Sequence, residues 1–351
     1  MDRVLMKGNE ALAEGAILAG CRGFFGYPIT PSSEIAEYMA RKMPKIGGVF
    51  VQAESELAAI NMVYGGAATG ARVMTASSGP GLSLKQEGIS FIAEAELPCL
   101  IVNISRGGPG LGGIQPAQSD YFQATRGGGH GDYHTIVLAP SGSQEMMDFA
   151  IEAFELADKY RIPVMIMAEG TLGNLMEPIV MREPVLNKVD KPWAISGCQG
   201  RKPNIINTLH LGSEELENRN LHLANKYKLI QAQEKRAESY LVEDAELVVV
   251  AFGIMARIVK KAVVEARKRG IKAGLVRPIT LWPFPDEDLR QAAEHARLFL
   301  SVEISMGQMI QDIQLALAGR VPVEFYGRIG FTPNPEEILQ EIIRLAAREG
   351  L

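Results

Sequence analysis

The chain has 351 residues, of which 47% are hydrophobic and 36 are glycine, enough apolar material for about two globular domains. Its 41 acidic and 36 basic residues give a formal net charge of -5 with no long run of either sign, which argues against a nucleic-acid-binding or membrane-surface protein. The first residues show no signal-peptide pattern, and no segment reaches the ~18 apolar residues of a membrane span, so we expect a cytoplasmic protein.

The first half of the chain alternates helical patterns with short apolar strands. Helical spacing occurs in NEALAEGAILAG, SSEIAEYMARKM, ESELAAINMVYGGAATG, LKQEGISFIAEAEL and SQEMMDFAIEAFELADKY. Strands are predicted over GFFGYP, GVFVQ, RVMTASS, LPCLIVNIS, TIVLAP and IPVMIMA, with Pro31 in the first turn of the helix that follows GFFGYP. This alternation predicts an α/β domain over residues 1–181, a parallel sheet with helices on both faces.

The pattern breaks after Glu177-Pro178. Residues 182–240 are rich in Pro, Asn, Lys and Glu, and we interpret them as a connector with one long solvated helix. A second, smaller α/β domain with a parallel sheet is predicted over residues 241–351. Its predicted strands are AELVVVAFG, KAGLVRPIT, RLFLSVEI and VPVEFYG.

Ligands of open parallel sheets bind at the carboxyl ends of the strands, in the loops that lead into helices. Four such loops stand out in the first domain: YPITPSSE, QAESE, SSGPG and ISRGGPGLGG. In QAESE, Glu54 and Glu56 precede an Ala-rich helix. The simplest interpretation is a pair of acids favoured by the helix dipole at its N-terminus.

The glycine nine residues after Glu56, Gly65, points to another role. A glutamate, an Ala-rich helix, a glycine at this offset and a short strand resemble the pyrimidine-binding domain of thiamine diphosphate enzymes. The resemblance implies that Glu56 contacts the pyrimidine ring nitrogen and activates the cofactor. The offset selects Glu56, and Glu54 is expected to be the more exposed of the two.

The loop YPITPSSE resembles the YPITP signature of the 2-oxoacid:ferredoxin oxidoreductases. In that family the loop approaches the cofactor, which implies cofactor contacts for Tyr27, Pro28 and Ile29 and substrate binding by Thr30. The structural alternative is a capped helix start with Thr30 or Ser32 as N-cap, and the two roles are compatible.

Arg106 follows the buried strand LPCLIVNIS, and the resemblance implies that it holds the substrate carboxylate. The alternative is an exposed arginine on a surface loop. SSGPG is interpreted either as a source of backbone amides for the cofactor or as a turn. For His130 and Asp132 in GGGHGD we favour a structural loop over a metal or acid-base site.

The chain also lacks two motifs that the family's reaction requires. Its cysteines, Cys21, Cys99 and Cys198, form no CxxC, and no GDG motif for the metal-bound pyrophosphate occurs. The resemblance therefore implies half of a thiamine diphosphate site and no metal site on this chain. A beta-type subunit would carry the pyrophosphate and Mg motif, and gamma-type and ferredoxin-like subunits would complete the enzyme, with the iron-sulfur clusters on partner subunits.

The resemblance covers the chain from about Gly8 to its end, with a transketolase C-terminal-like second domain. GFFGYPITPSSEIAEYM, FVQAESELAAINM and GGGHGDYHTIVLAP are most similar to the 3-methyl-2-oxobutanoate (2-ketoisovalerate) type, and the 2-oxoglutarate type comes next. Of Phe24 and Phe25, at most one is expected to line an apolar substrate pocket.

The implied reaction is oxidative decarboxylation of a 2-oxoacid to acyl-CoA and CO2 with reduction of ferredoxin. Two other functions stay open at this point: a non-redox thiamine diphosphate decarboxylase built from two chains, and a non-catalytic subunit that keeps the fold for assembly.

Overall fold

The computed structural model describes residues 3–184 and 189–351. The strands are β1 Arg3–Lys7, β2 Gly23–Gly26, β3 Val49–Gln52, β4 Val73–Ser77, β5 Cys99–Ser105, β6 Ile136–Leu138, β7 Pro163–Glu169, β8 Met176–Val180, β9 Ala237–Tyr240, β10 Leu247–Val250, β11 Ala273–Pro278, β12 Thr280–Trp282, β13 Leu298–Glu303 and β14 Val323–Gly327. The α-helices are α1 Gly8–Leu18, α2 Ser33–Lys42, α3 Glu56–Ala68, α4 Gly79–Ser83, α5 Gln86–Glu94, α6 Tyr121–Arg126, α7 Ser143–Tyr160, α8 Gly170–Asn174, α9 Ser213–Gln233, α10 Gly253–Lys268, α11 Asp286–Ala292, α12 Met309–Leu317 and α13 Pro335–Glu349.

The first domain is built on a seven-stranded sheet in the order β12-β6-β7-β5-β4-β2-β3. All neighbouring pairs from β6 to β3 are parallel. Every residue of β4, β5 and β7 is buried, which is expected for central parallel strands covered on both faces. The predicted α/β fold of this part of the chain is confirmed.

The second domain contains a five-stranded sheet in the order β14-β13-β10-β11-β9. Strands β10, β11, β13 and β14 are parallel as predicted, but the edge strand β9 is antiparallel to β11. Because β9 covers residues 237–240, the last part of the predicted connector belongs to the sheet of the second domain.

The predicted strand KAGLVRPIT is divided between the two sheets. Its first part, β11, ends at Pro278, and two residues later β12 pairs antiparallel with β6 at the edge of the first sheet. Pro278 has no backbone N–H that could continue the hydrogen-bond ladder of β11. The next two amides, of Ile279 and Thr280, both donate to the carbonyl oxygen of Arg236, and the chain then enters β12. A segment of the second domain therefore completes the sheet of the first.

The long helix of the connector is not solvated on all sides. Leu223, Tyr227 and Ile230 of α9 are buried. Beside this face, Glu96 accepts hydrogen bonds from Arg219 at 2.8 Å and Lys226 at 3.0 Å. Burial alone raises the pKa of Glu96, but Lys226 and Arg219 outweigh it and lower the pKa to about 2. Hydrophobic packing and ion pairs thus fix α9 to the first domain.

The elements that were not predicted include β1, its antiparallel partner β8, the edge strand β9 and the short helices α4, α6 and α8. Helix α4 occupies the segment SSGPG that was interpreted as a possible turn. Four methionines of α7 and β7 are buried in the core, namely Met146, Met147, Met165 and Met167. The division at residues 181 and 240 stays a prediction, and Val185–Lys188 of the predicted connector lie outside the described residues.

No described helix is both long and apolar enough to cross a membrane. Within residues 3–184 and 189–351, no group of three or more His, Cys, Asp or Glu side chains is placed to hold a metal ion.

Candidate active site

The loops singled out in the sequence lie at one edge of the first sheet. Strands β3, β2, β4 and β5 are adjacent and parallel, so their carboxyl ends point the same way. These ends lead into Glu56, the Tyr27–Ser32 loop, the Ser77–Gly79 turn and Arg106, respectively. The topology alone thus brings the four predicted loops to one edge of the sheet.

Glu56 is the first residue of α3 and is buried, whereas Glu54 is exposed, as the offset from Gly65 predicted. The helix start is fixed by Ser55, whose hydroxyl accepts a hydrogen bond from the amide of Ala58 at 3.1 Å. Within the described residues, nothing donates a hydrogen bond to the Glu56 carboxylate. A buried carboxylate with free acceptor atoms is suited to a ring nitrogen of a bound cofactor.

Helix α4 approaches the Glu56 carboxylate closely. A Cβ atom built on Gly81 would lie 2.6 Å from Oε1 of Glu56 and 2.4 Å from the hydroxyl oxygen of Ser77. A larger residue at this position would displace the side chains of Glu56 and Ser77. The segment SSGPG therefore lies beside Glu56, and part of it forms helix α4 and not a simple turn.

Thr30 and Arg106 are in direct contact. The guanidinium group of Arg106 donates to the carbonyl oxygen of Thr30 at 2.9 Å and to that of Leu111 at 3.0 Å. Arg106 is 9% exposed, its Nε atom has no partner, and no carboxylate in the described part of the chain forms an ion pair with it. Arg106 is therefore not an exposed arginine on a surface loop, and its charge opposes the increase that burial causes in the pKa of the Asp120 carboxyl.

Hydrogen bonds hold the Tyr27–Ser32 loop in place, while most of its side chains remain exposed. The Ser32 hydroxyl donates to the carbonyl oxygen of Ile29 at 2.8 Å, and the Asn9 amide donates to that of Pro31 at 2.9 Å. Tyr27, Pro28 and Thr30 are exposed and Ile29 is half-buried.

The expected helix cap differs in detail from the structure. Ser32 occupies the N-cap position of α2 but its side chain makes no capping hydrogen bond, and Pro31 precedes the helix. The Ser32 hydroxyl bonds back to Ile29 instead, so it supports the loop and not the helix. Thr30 is not the N-cap, and its side chain is free for another role.

Several buried polar groups at this edge were missed or left undecided. The hydroxyl oxygens of Ser77 and Ser78 and the Oδ1 atom of Asn103 have no hydrogen-bond partner within residues 3–184 and 189–351. The Asn103 amide donates to Asp120 at 3.0 Å. Burial raises the pKa of Asp120, although this hydrogen bond opposes the shift. Because Asp120 belongs to an irregular segment, no sequence pattern marked it.

Two groups named in the sequence lie elsewhere. His130 and Asp132 are exposed on a loop whose amides of Gly128 and Gly129 donate to the Tyr133 hydroxyl at 3.2 and 3.0 Å, which agrees with a structural loop. Phe24 is in the core, stacked 5.5 Å from Phe50, and the Phe25 ring packs beside Gly66 of α3. The contacts of both rings are with the sheet and α3.

The chain matches two family models in sequence. Residues 14–239 match the family model described as "Pyruvate flavodoxin/ferredoxin oxidoreductase, thiamine diP-bdg". Residues 245–338 match "Pyruvate:ferredoxin oxidoreductase core domain II". The first model defines a thiamine diphosphate-binding domain.

Similar proteins from methanogenic archaea extend over almost the whole chain. A protein named "Ketoisovalerate oxidoreductase subunit VorB" from Methanothermobacter marburgensis is 54% identical over 331 residues, with 94% of each chain covered. Its counterpart from Methanothermobacter thermautotrophicus is 53% identical. The "2-oxoglutarate synthase subunit KorA" of the latter organism is 39% identical, covering 98% of this chain and 99% of that protein.

Two solved structures are similar. The 2-oxoglutarate:ferredoxin oxidoreductase from Magnetococcus marinus, solved with 2-oxoglutarate, coenzyme A and succinyl-CoA, gives a TM-score of 0.89 at 27% identity. It covers 98% of this chain, which spans 65% of that one. A split gene transketolase gives a TM-score of 0.60 at 14% identity, with 97% of each chain covered, and shows the fold alone. The chain belongs to the thiamine-diphosphate-dependent 2-oxoacid:ferredoxin oxidoreductases, enzymes that act with partner subunits.

The residues at the carboxyl edge of the sheet fit half of a thiamine diphosphate site. Among the residues that the structure describes, the buried Glu56 carboxylate accepts no hydrogen bond, and the buried hydroxyls of Ser77 and Ser78 on the next loop have no partner. The predicted cofactor is thus confirmed by the family, while the roles of individual residues stay predictions.

Proposed function

We propose that this chain, in complex with partner subunits, oxidatively decarboxylates 3-methyl-2-oxobutanoate to its acyl-CoA and CO2, with reduction of ferredoxin. The observation that carries the proposal is the pair formed by Arg106 and Thr30 at the same sheet edge as Glu56. A fixed, buried cation there is suited to the carboxylate of a 2-oxoacid.

Each residue would have a separate role. Glu56 would contact the pyrimidine ring nitrogen of thiamine diphosphate and help to activate the cofactor, which when bound supplies the nucleophile for the 2-oxo carbon. Tyr27, Pro28 and Ile29 would line the cofactor. Thr30 would hydrogen-bond the substrate.

Support for a branched-chain substrate comes from the loop that follows Arg106. Leu111, whose carbonyl oxygen binds Arg106, is 81% exposed, and Ile114 is 62% exposed. Gly330 of the second domain lies beside the same loop, where a Cβ atom on it would be 3.9 Å from that of Gln115, and Phe331 next to it is 65% exposed. Leu111, Ile114 and Phe331 are thus exposed apolar side chains on or beside the loop that follows Arg106, and together they are called the apolar rim.

A 2-oxoglutarate-specific enzyme is the second candidate because KorA is also similar to the chain. The second carboxylate of 2-oxoglutarate requires another cation, but residues 107–117 contain no Lys or Arg, and Arg328, which lies over the Phe331 ring, already forms an ion pair with Glu337. The apolar rim therefore favours the branched-chain substrate.

We propose the partners that the sequence resemblance implies. A beta-type subunit would carry the pyrophosphate and Mg motif, while gamma-type and ferredoxin-like subunits and the iron-sulfur clusters would complete electron transfer. The names of the similar proteins as subunits support a multi-subunit enzyme. Coenzyme A would be the acyl acceptor, and a cytoplasmic location stays a prediction.

The test is an assay of the co-expressed complex with 3-methyl-2-oxobutanoate, 2-oxoglutarate and pyruvate, using a viologen as electron acceptor. We expect the highest kcat/KM with 3-methyl-2-oxobutanoate. Preference for 2-oxoglutarate would support the second candidate. Release of aldehyde without reduction of the viologen would indicate a non-redox decarboxylase, and no turnover of any substrate would indicate an assembly subunit.

Arg106→Ala provides the matched test of the anchor. The KM for the 2-oxoacid should rise by about tenfold or more, because its charge-assisted hydrogen bonds to Arg106 are lost. The KM for coenzyme A should rise far less. Equal increases of both KM values would contradict the role of Arg106. Arg182→Ala, which removes an exposed arginine paired with Asp148, is the control and should change neither KM.

A further inference from the structure

Residues 201–212, which we call the strap, lead into α9 and form no helix or strand. From residue 204 to residue 211, half-buried and exposed residues alternate, so one side of an extended chain faces the protein and the other faces solvent. The outer side carries three apolar side chains that are between 63% and 87% exposed: Ile205, Leu209 and Leu211. His210 is on the inner side, and its side chain is 14% exposed.

His210 connects the strap to two helices through both of its ring nitrogens. Its Nε2 atom lies 3.0 Å from a carboxylate oxygen of Glu94, the last residue of α5. Its Nδ1 atom lies 2.9 Å from a carboxylate oxygen of Glu215, in the first turn of α9. Arg219 of α9 donates to the same oxygen of Glu94 at 2.9 Å. In the described part of the chain, the charged groups that face the ring are thus two carboxylates, one of them shared with an arginine.

The two carboxylates require a protonated ring. A neutral imidazole has one N–H, so it donates to one carboxylate and turns a lone pair toward the other. Imidazolium donates from both nitrogens. Glu215 and Glu94 accordingly raise the pKa of His210 above its ordinary value of 6.5.

We propose that His210 is a pH-sensitive switch: as an imidazolium it holds the strap against α5 and α9, and loss of its proton releases this part of the strap. The inference goes beyond the proposed function and does not depend on it. The hydrogen bonds at the other end of the strap, from the Asn204 amide to the carbonyl oxygens of Pro192 and Ala194, involve no ionisable group. The release is therefore confined to the residues next to α9.

The direction of the switch follows from the pKa. Because the pKa of His210 is higher in the folded chain than in the unfolded chain, the contact is complete below about pH 6.5 and is lost as the pH rises through the raised pKa. The strap should thus be held at mildly acidic pH and released at alkaline pH.

His222 on α9 provides a matched control. Among the described residues, its ring contacts one carboxylate, that of Glu96, which lies 3.1 Å from Nε2. The neutral tautomer with its hydrogen on Nε2 keeps this contact, and Arg219 and Lys226 also donate to Glu96. His222 therefore lacks the second carboxylate that makes the contact of His210 depend on its charge.

The test is limited proteolysis of the co-expressed complex by thermolysin at pH 6 and pH 8. Thermolysin cleaves before large apolar residues, so mass spectrometry follows cleavage before Leu209 and Leu211. Division by the rate for a free peptide with the sequence of the strap removes the pH dependence of the protease. The corrected rate of the wild type should be about threefold higher at pH 8, the size expected for a partly exposed ion pair.

Three variants separate a charge switch from simple packing. His210→Gln is uncharged at both pH values, so its strap should be cut at pH 6 as fast as that of the wild type at pH 8. His210→Arg is charged at both and should be cut slowly at both. Glu215→Gln, at a side chain that is 64% exposed, leaves one carboxylate for a neutral ring and should abolish the difference. His222→Gln should retain it.

Two results would overturn the proposal at the level of the wild type: equal corrected rates at pH 6 and pH 8, and no cleavage before Leu209 or Leu211 at pH 8. A difference between the two pH values that persists in His210→Gln would overturn it as well, because another group would then be titrating. Size-exclusion chromatography at both pH values checks that each variant is assembled.

Discussion

Glu56 provides the sharpest prediction at the scale of single residues. Glu56→Gln keeps the size of the side chain and removes the ionisable group, so we expect turnover to be lost while the complex still assembles. Viologen reduction and size-exclusion chromatography of the co-expressed complex measure the two properties. Glu54→Gln, at the exposed acid two residues earlier, should retain activity. Near-normal turnover of Glu56→Gln would end the assignment.

Glu169 at the end of β7 connects the two domains. Its carboxylate accepts a hydrogen bond from the amide of Ile254 at 2.6 Å, where Gly253 leaves room: a Cβ atom there would lie 2.9 Å from Oε2 of Glu169. Burial raises the pKa of Glu169 from 4.5 to about 7, although these hydrogen bonds oppose it. The carboxyl group is therefore protonated in the folded chain over a range in which it is ionised in the unfolded chain.

This shift predicts a pH-dependent stability. Between about pH 4.5 and 7 the folded state binds more protons, so the free energy of unfolding should fall as pH rises through this window, by up to about 3 kcal/mol. Glu169→Gln should remove this part of the dependence. Urea unfolding at pH 5 and pH 8 measures it, with Glu54→Gln as control. Parallel changes in wild type and Glu169→Gln would contradict the prediction.

The sequence was informative about residues in motifs and silent about the others. The offset from Gly65 distinguished Glu56 from Glu54, and the position of Arg106 after a buried strand placed it beside Thr30. Lys85 was missed because a lysine in a sequence is most often exposed, and only packing shows that its side chain is buried. For Phe24 and Phe25 the sequence suggested a possible place in a substrate pocket, whereas both rings pack in or against the hydrophobic core.

At the scale of elements, helix α4 is the part of the site that depends most on one residue. Gly81→Ala would place a methyl group against Glu56 and Ser77, so we expect weaker binding of thiamine diphosphate, by about tenfold, with the fold retained. The dissociation constant and the far-UV circular dichroism spectrum measure the two effects. Gly142→Ala is the control, because a Cβ atom there has its nearest contact at 3.5 Å. Unchanged cofactor affinity in Gly81→Ala would contradict the idea that the backbone of α4 at Gly81 must pass close to Glu56 for the cofactor to bind.

Long periodic elements were predicted well and short ones poorly. Helices α3 and α7 and the buried strands β5 and β7 match segments marked in the sequence. Helix α4 has five residues and begins at Gly79-Pro80, so its composition indicates a turn as strongly as a helix. Strand β12 has three residues, and its partner β6 lies more than a hundred residues away, so no local pattern assigns it to the first sheet.

At the scale of the whole molecule, the chain is one part of an enzyme whose chemistry is divided among subunits. In the proposed function it contributes the Glu56 carboxylate and the Arg106 cation, and its described residues offer no cluster for a metal ion. The sequence predicts this division of the chemistry among subunits, since neither GDG nor CxxC occurs in it. Which partner residues complete the site depends on chains that this sequence does not encode.

The placement of β12 has a consequence for how the chain responds to cleavage. Residues 201–212 contain no helix or strand and are mostly exposed, so a protease should cut there first. The C-terminal fragment would still carry α9 and β12, both packed on the first domain. We expect the nicked protein to migrate as one species on a sizing column and to separate into two fragments only in denaturant. Because β12 of the second domain is a strand of the first sheet, cleavage of the backbone between the domains does not separate them.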